Sequence, residues 1–295
     1  MKRLDGVNTL LMTPYTESNE IDVQGIFRQI DRILEARATS VVVQGKIGEY
    51  DTYTMDERRD TAKAVVEYIN GAAPVGVGII NATFDDGLAV GRIAAESGAD
   101  YVMSRPPIDG DSHDYFLRLA DIVPVMLYDQ GLRGEFSIRD DILPITQQTE
   151  NIIALKISGI PDKNYEAKQF LDIPVLCGWD LMSLLAYQMG SDGVISGSAT
   201  LVPEHEVRLY DLVREQRWDE ARDLYYGKLV PILNYCTFDP HAYSVCKYIL
   251  KYMGVIENSD VRPPNPDAGE ARAAEVYEVL KRVGVLEPEG ASLGR

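Results

Sequence analysis

Apolar and polar positions along this chain follow two periods that alternate from the N-terminus onward. Short apolar runs at 7–12, 40–44, 75–80, 101–104, 124–128, 152–157, 174–178 and 193–196 have the length and flanking turn residues of buried strands. Segments of helical period lie between them. Val23, Ile26, Phe27, Ile30, Ile33 and Leu34 follow Asp22 at i, i+3, i+4, i+7 spacing, which predicts a helix capped by that aspartate. Thr54-Met-Asp-Glu57 has the form of a capping box, and Ala62, Val65, Val66 and Ile69 give the helix behind it a buried face that stops at Gly71. A further helix carrying Ala89, Ile93 and Ala94 stops near Gly98.

Eight such units favour an α/β fold of the (β/α)8 TIM barrel type over an open doubly wound sheet. No G-x-G-x-x-G or P-loop follows any strand run, which removes the main nucleotide-binding alternatives. After Ser198 the strand pattern stops, and 203–216, 218–236, 241–253 and 269–283 all read as helices. The expected organisation is a barrel over 1–220 and a C-terminal helical extension over 221–295. Within the extension, Arg262-Pro-Pro-Asn-Pro266 reads as an extended connector and the polar stretch 287–295 as a frayed tail.

The run Ile152-Ile153-Ala154-Leu155-Lys156-Ile157-Ser158 places one lysine near the end of a buried strand. Burying an ammonium there costs several kcal/mol in order of magnitude unless the group is paired or gives up its proton. Two readings are open on these residues alone. One is a strand-end lysine that reaches back to water. The other is Schiff-base chemistry, in which a desolvated amine with its pKa lowered from ~10.4 toward ~7–8 attacks a ketone.

Composition narrows the partners. The 295 residues carry 46 Asp and Glu against 29 Lys and Arg, a formal charge of −17, which argues against nucleic acid or an anionic membrane as a partner. No stretch approaches the ~20 apolar residues of a membrane span, and the N-terminus shows no signal-peptide cleavage pattern, so a cytoplasmic location is expected. Cys177, Cys236 and Cys246, like His113, His205 and His241, are scattered without metal-ligand spacing, and neither a metal nor a cofactor is implied.

In a barrel of this type chemistry sits at the C-terminal strand ends and the loops that follow. Those positions hold Gly45-Lys46-Ile47-Gly48-Glu49, then Tyr128-Asp129-Gln130-Gly131-Leu132-Arg133-Gly134, then Lys156. The segment from Ser40 to Glu57, with Gly45-x-x-Gly48-Glu49 and a second glutamate at Glu57, resembles one signature of the dihydrodipicolinate synthase / N-acetylneuraminate lyase family. Tyr128, Arg133 and Lys156 fall at the spacing of a second. Thr13-Pro14, Gly178-x-Asp180, Gly193-Val-Ile-Ser196, Lys247 with Met253-Gly254, and Arg262-Pro-Pro match as well, so the resemblance spans nearly the whole chain.

The resemblance implies a class I lyase of 2-keto acids, assembled as a homotetramer. Carried over by residue, Lys156 forms an imine with the keto carbon of pyruvate or a pyruvate-containing substrate, and Tyr128 carries protons beside it. The turn from Gly45 to Gly48 offers N–H groups to the substrate carboxylate. Arg133 holds a distal carboxylate or hydroxyl, and Asp180 faces substrate hydroxyls. Lys46, Ile47, Glu49 and Ile195 complete the substrate-binding set.

Three departures bear on the activity. Lys46-Ile47 stands where the family usually has two hydroxyl residues of a proton relay. Lys46 there either pairs with a carboxylate, depresses the pKa of Lys156 by like-charge repulsion, or points to solvent. Arg105-Pro106-Pro107-Ile108 stands where dihydrodipicolinate synthases carry paired tyrosines, and Gln130-Gly131 follows where an apolar residue and a proline are usual. The first expectation is therefore an aldolase or dehydratase of keto-deoxy sugar acids or similar compounds. The alternatives are dihydrodipicolinate synthase itself, or a family member that binds a keto acid without turnover.

Overall fold

The computed structural model describes residues 4–131, 134–237 and 240–286. Arg133 and the tail 287–295 therefore lie outside the described residues. The expected strands are present as β1 Gly6–Leu10, β2 Ser40–Val43, β3 Val75–Ile79, β4 Tyr101–Ser104, β5 Val125–Gln130, β6 Ile152–Ser158, β7 Val175–Cys177 and β8 Gly193–Ser196. All neighbours pair in parallel, and β8 pairs with β1, which closes a TIM barrel. Among the described residues, seven α-helices lie in its crossovers: α1 Val23–Glu35, α2 Met55–Ile69, α3 Phe84–Glu96, α4 Ser112–Ile122, α5 Leu143–Gln148, α6 Asp162–Phe170 and α7 Ser183–Gln188. After β8 come the short α8 Ser198–Leu201, then α9 Pro203–Arg214, α10 Trp218–Leu224, α11 Val230–Cys236, α12 Ala242–Tyr252 and α13 Gly269–Arg282.

Local signals explain the helix starts. Asp22 Oδ1 accepts from Gly25 N–H at 3.0 Å, and Thr54 and Glu57 close the predicted capping box in both directions. The expected helix 218–236 is split by a wide turn at Tyr225–Leu229, just before Pro231. A proline inside a helix lacks the N–H of an i→i−4 bond and crowds the preceding turn, and the wide turn relieves both. The same arrangement recurs at Ile138–Ile142 ahead of Pro144.

Two apolar layers follow from the two-residue period of the strands. Side chains of one parity pack outward under the helices, in a core that also takes in α9 to α13. The other parity fills the barrel, with Leu10, Val42, Tyr101, Met103, Met126, Ala154, Leu176 and Ile195 in one cluster. Gly76 is required there, because a Cβ would lie 2.6 Å from the Tyr101 ring. Tyr101 Oη in turn meets Ser40 Oγ at 2.8 Å, and Ser40 donates to Asn8 Oδ1 at 2.6 Å, so the buried polar atoms of this layer are mutually bonded. Counting by twos along β5 and β6 brings Tyr128 and Lys156 to the inward face at the C-terminal end, directly paired in register.

Candidate active site

A cavity of about 510 Å³ opens at that end of the barrel. Lys46, Ile47, Tyr128, Lys156 and Asp180 of the expected set line it, and α12 and the segments flanking it add Thr237, Tyr243, Cys246 and Asn265. Among the described residues, no group of three His, Cys, Asp or Glu is arranged to hold a metal ion, and no helix is long and apolar enough to cross a membrane.

Lys156 is 2% exposed and has no carboxylate within ion-pair distance among the described residues. Its Nζ lies 3.8 Å from Met103 Sδ and 3.9 Å above the Tyr128 ring. Burial lowers its pKa from 10.5 to about 7, opposed by the negative charge of Asp180 and a smaller effect of Cys177. The lysine stem runs so close to β7 that a Cβ on Gly178 would sit 2.6 Å from Lys156 Cε. A glycine at that position is thus a condition for the lysine's placement.

Tyr128 is buried, and burial raises its phenol pKa; a hydrogen bond with Ser158 and the charges of Lys46 and Arg105 act the other way. Ser158 donates its one hydrogen to Gly178 O at 3.0 Å, so in its bond with Tyr128 it accepts from the phenol. Sequence reasoning passed over Ser158, although the two-residue period already places it on the Lys156 face of β6. It supplies a hydroxyl beside Tyr128, where the Lys46-Ile47 pair has none.

The turn after β2 is tight. Gly48 N–H donates to Gly45 O at 3.0 Å and Glu49 N–H to Lys46 O at 3.2 Å, which leaves the Lys46 and Ile47 N–H groups at the turn's open end. Gly48 is held by packing: a Cβ there would lie 2.7 Å from Leu11 O, and its own carbonyl accepts from Thr13 Oγ1 at 2.7 Å. Gly45 backs onto Leu10, where a Cβ would lie 3.1 Å from a methyl group. Ile47 fits because Gly197 has no side chain; a Cβ there would be 2.3 Å from Ile47 Cδ1.

Of the expected substrate-binding set, Gly45 and Gly48 shape this turn without lining the cavity, and two further members sit elsewhere. Glu49 is fully buried away from the cavity lining, paired with Lys247, while its Oε2 accepts from Arg262 N–H and Asn265 Nδ2, each at 3.0 Å. Through these partners its carboxylate ties the β2 turn to α12 and the proline connector. Ile195 is fully buried in the barrel cluster beneath the cavity, where it packs rather than lines. Arg133 lies outside the described residues. Among the described residues on either side of it, Asp129 pairs with Lys163 at 2.5 Å and accepts from Glu135 N–H at 2.5 Å, and Glu135 pairs with Arg105.

Asp180 is half-buried at the start of the turn after β7, with Ser198 Oγ donating to its Oδ1 at 3.0 Å and Tyr225 Oη to its backbone carbonyl at 3.3 Å. The site therefore joins a desolvated amine, a phenol with a hydroxyl partner, two N–H groups beside a lysine, and a carboxylate.

A sequence model of the Dihydrodipicolinate synthetase family matches residues 3–283. The 4-hydroxy-tetrahydrodipicolinate synthase of Methanopyrus kandleri is 28% identical over 301 residues, covering 98% of this chain and 99% of that protein. The dihydrodipicolinate synthase structure from Aquifex aeolicus superposes with a TM-score of 0.87 at 23% identity, covering 96% of this chain and 100% of that one. YagE, a prophage protein of the dihydrodipicolinic acid synthase family from E. coli K12 solved in complex with pyruvate, gives 0.86 at 21% identity, with coverage of 96% and 99%.

Proposed function

Since the chain belongs to the Dihydrodipicolinate synthetase family, and is thereby an enzyme of the class I lyase type, we propose that Lys156 forms an imine with pyruvate or a pyruvate-containing 2-keto acid. The observation that carries this reading is a buried lysine with no carboxylate within ion-pair distance among the described residues, facing a cavity beside Tyr128. The amine adds to the keto carbon, and the carbonyl oxygen leaves as water after two proton transfers. Tyr128 carries those protons, with Ser158 as its hydroxyl partner. Carbon–carbon bond cleavage or formation then draws on the iminium as electron sink.

Substrate contacts follow from the lining. The Lys46 and Ile47 N–H groups and the Lys46 ammonium receive the keto acid's carboxylate. Asp180 accepts from a hydroxyl further along the substrate. Arg133 keeps the role that the resemblance gives it, holding a distal carboxylate or hydroxyl. The Ser158 hydroxyl beside Tyr128 favours turnover over binding alone, because it supplies the relay function absent from Lys46-Ile47.

Within this class the first reading is an aldolase or dehydratase of keto-deoxy sugar acids or similar hydroxylated keto acids, supported by Asp180 at the cavity and by the Arg105-Pro106-Pro107-Ile108 loop. A second reading is 4-hydroxy-tetrahydrodipicolinate synthase, the name its curated relative carries. Borohydride reduction with pyruvate, followed by an aldehyde panel that includes aspartate semialdehyde, separates them. A lactyl-sized adduct on Lys156 and product from hydroxylated aldehydes support the first reading. Condensation with aspartate semialdehyde at roughly 1–10³ per second assigns the second. An adduct without product from any aldehyde leaves a binder, and no adduct refutes the imine. We also propose a homotetramer, for which sedimentation velocity at micromolar concentration is the test.

A further inference from the structure

A cluster at the edge of the cavity joins two carboxyl groups through one hydroxyl. Three oxygen atoms converge on Ser198 Oγ: Glu206 Oε1 at 2.5 Å, Ser196 Oγ at 2.6 Å and Asp180 Oδ1 at 3.0 Å. Asp180 and Ser198 line the cavity. Glu206, on α9, lies behind them, 1% exposed, and its Oε2 has no hydrogen-bond partner among the described residues.

The hydrogens can be counted. A serine hydroxyl has one hydrogen and two lone pairs, and an ionised carboxylate only accepts. With both carboxyls ionised, the Ser198 hydrogen would serve one of them and the other contact would set lone pair against lone pair at hydrogen-bonding distance. One carboxyl therefore holds a proton. Burial selects Glu206, because an ionised Glu206 would leave Oε2 charged and unpaired in the interior, whereas Asp180 faces the cavity. Every contact then has its hydrogen: Glu206 and Ser196 donate to Ser198, Ser198 donates to Asp180, and Ser196 Oγ accepts from Ala199 N–H at 3.2 Å. In keeping with this, burial pushes the Glu206 pKa up to about 8, opposed by the Ser198 bond and aided by the charge of Asp180.

We propose that Glu206 is a positioning residue of this cavity: as the neutral acid it turns the Ser198 hydroxyl toward Asp180, which fixes one Asp180 oxygen and leaves the other, with the charge, facing the substrate. The proposal rests on the imine reading of Lys156, whose cationic intermediate the Asp180 charge favours. Loss of the Glu206 proton reverses the chain. The Ser198 hydrogen then turns to Glu206, and Asp180 loses its donor to a second negative charge one hydroxyl away. The other titratable groups facing Glu206 are Cys177, Tyr187 and Tyr225. Burial pushes the Cys177 thiol up to about 12 and raises both phenols, so all three stay neutral while Glu206 titrates.

Two readouts on the intact protein test this. In infrared difference spectra of wild type against Glu206→Gln, a protonated carboxyl band present at neutral pH and fading with a midpoint near 8 is expected. In borohydride trapping with pyruvate, the wild-type rate is expected to fall through the same range. Glu206→Leu should lower the neutral-pH rate about tenfold. Glu206→Gln, whose amide donates at every pH, should restore most of that rate and lose the alkaline fall. Ser198→Ala should keep the carboxyl band and also lose the alkaline fall, which covers the case of a variant that does not fold. Absence of the band, or an alkaline fall that persists in Glu206→Gln, overturns the proposal. If the wild type traps no pyruvate the imine reading fails, and the infrared titration alone then decides where the proton sits.

Discussion

Two lysines are buried to the same depth in this barrel, and their surroundings are opposite. Lys247 is 0% exposed and meets the Glu49 carboxylate, the Asp260 carbonyl at 2.7 Å and the face of Tyr15 at 4.0 Å. Lys156 is 2% exposed and meets a thioether and the face of Tyr128. Burial lowers the pKa of both, but at Lys247 the paired carboxylate opposes it, whereas at Lys156 the opposing charges are those of Asp180 and Cys177, with no ion pair among the described residues. Burial by itself does not make a nucleophile. On the proposed reading, what separates Lys156 from the structural Lys247 is the lack of a paired carboxylate among the described residues together with a cavity beside it.

The comparison breaks most visibly if the lysines can exchange roles. Lys156→Ala is expected to abolish pyruvate trapping and to lower turnover by at least about 10³-fold. Peptide mapping should find no adduct on Lys247 or Lys46 in that variant, and an adduct on either would end the distinction. Next in size is removal of the anion. Glu49→Ala strands the Lys247 charge in the interior, which should cost about 3–5 kcal/mol in urea unfolding while the folded fraction still traps pyruvate at Lys156. A loss below about 1 kcal/mol would mean that the pair contributes little net stability.

Much of this was legible in the chain, for reasons that also mark where legibility stopped. The strand runs were readable because each is apolar and bounded by turn residues, and the capping box at Thr54 and Glu57 is a local pattern that needs no tertiary partner. Strand ends moved by one or two residues: β1 stops at Leu10, and β5 continues to Gln130 because it pairs with β6 as far as Ser158. Lys156 stood out because an ammonium amid Ile and Leu demands an account. Glu49 was misplaced because its partners Lys247, Arg262 and Asn265 come from some 200 residues later, and a spacing pattern carries no record of who meets whom. Ser198 and Glu206 were invisible for a similar reason, as serine and glutamate at a helix start read as ordinary solvated residues. Ser158 could have been found from strand parity alone.

Acidity offers a finer test of the same contrast. With Lys156 near 7 in the folded chain and 10.5 unfolded, the unfolded state binds the extra proton between those values. Stability should therefore rise with pH across that window, as the cost of burying an amine that is charged when unfolded fades. Below pH 7 the full penalty is present. Lys156→Met keeps the stem and drops the charge, so its unfolding free energy should show a smaller slope from pH 7 to 10 than the wild type. Equal slopes would place the Lys156 pKa near its ordinary value.

The smallest effect is expected at Lys46, where three roles were open. Its side chain is exposed, lines the cavity, and has no ion-pair partner among the described residues. The forces that shift Lys156 are burial, Asp180 and Cys177, whereas the charge of Lys46 acts on Tyr128. Like-charge repulsion is thus not what frees the Lys156 amine. Lys46→Ala should raise the KM for the keto acid about tenfold through one lost charged contact, with the adduct still on Lys156 at saturating pyruvate. The pH at which trapping reaches half its maximum should stay within about half a unit of wild type, a shift worth about 0.7 kcal/mol. A larger upward move would show that Lys156 depends on a neighbouring cation rather than on its isolation from anions, and the contrast with Lys247 would need a different cause.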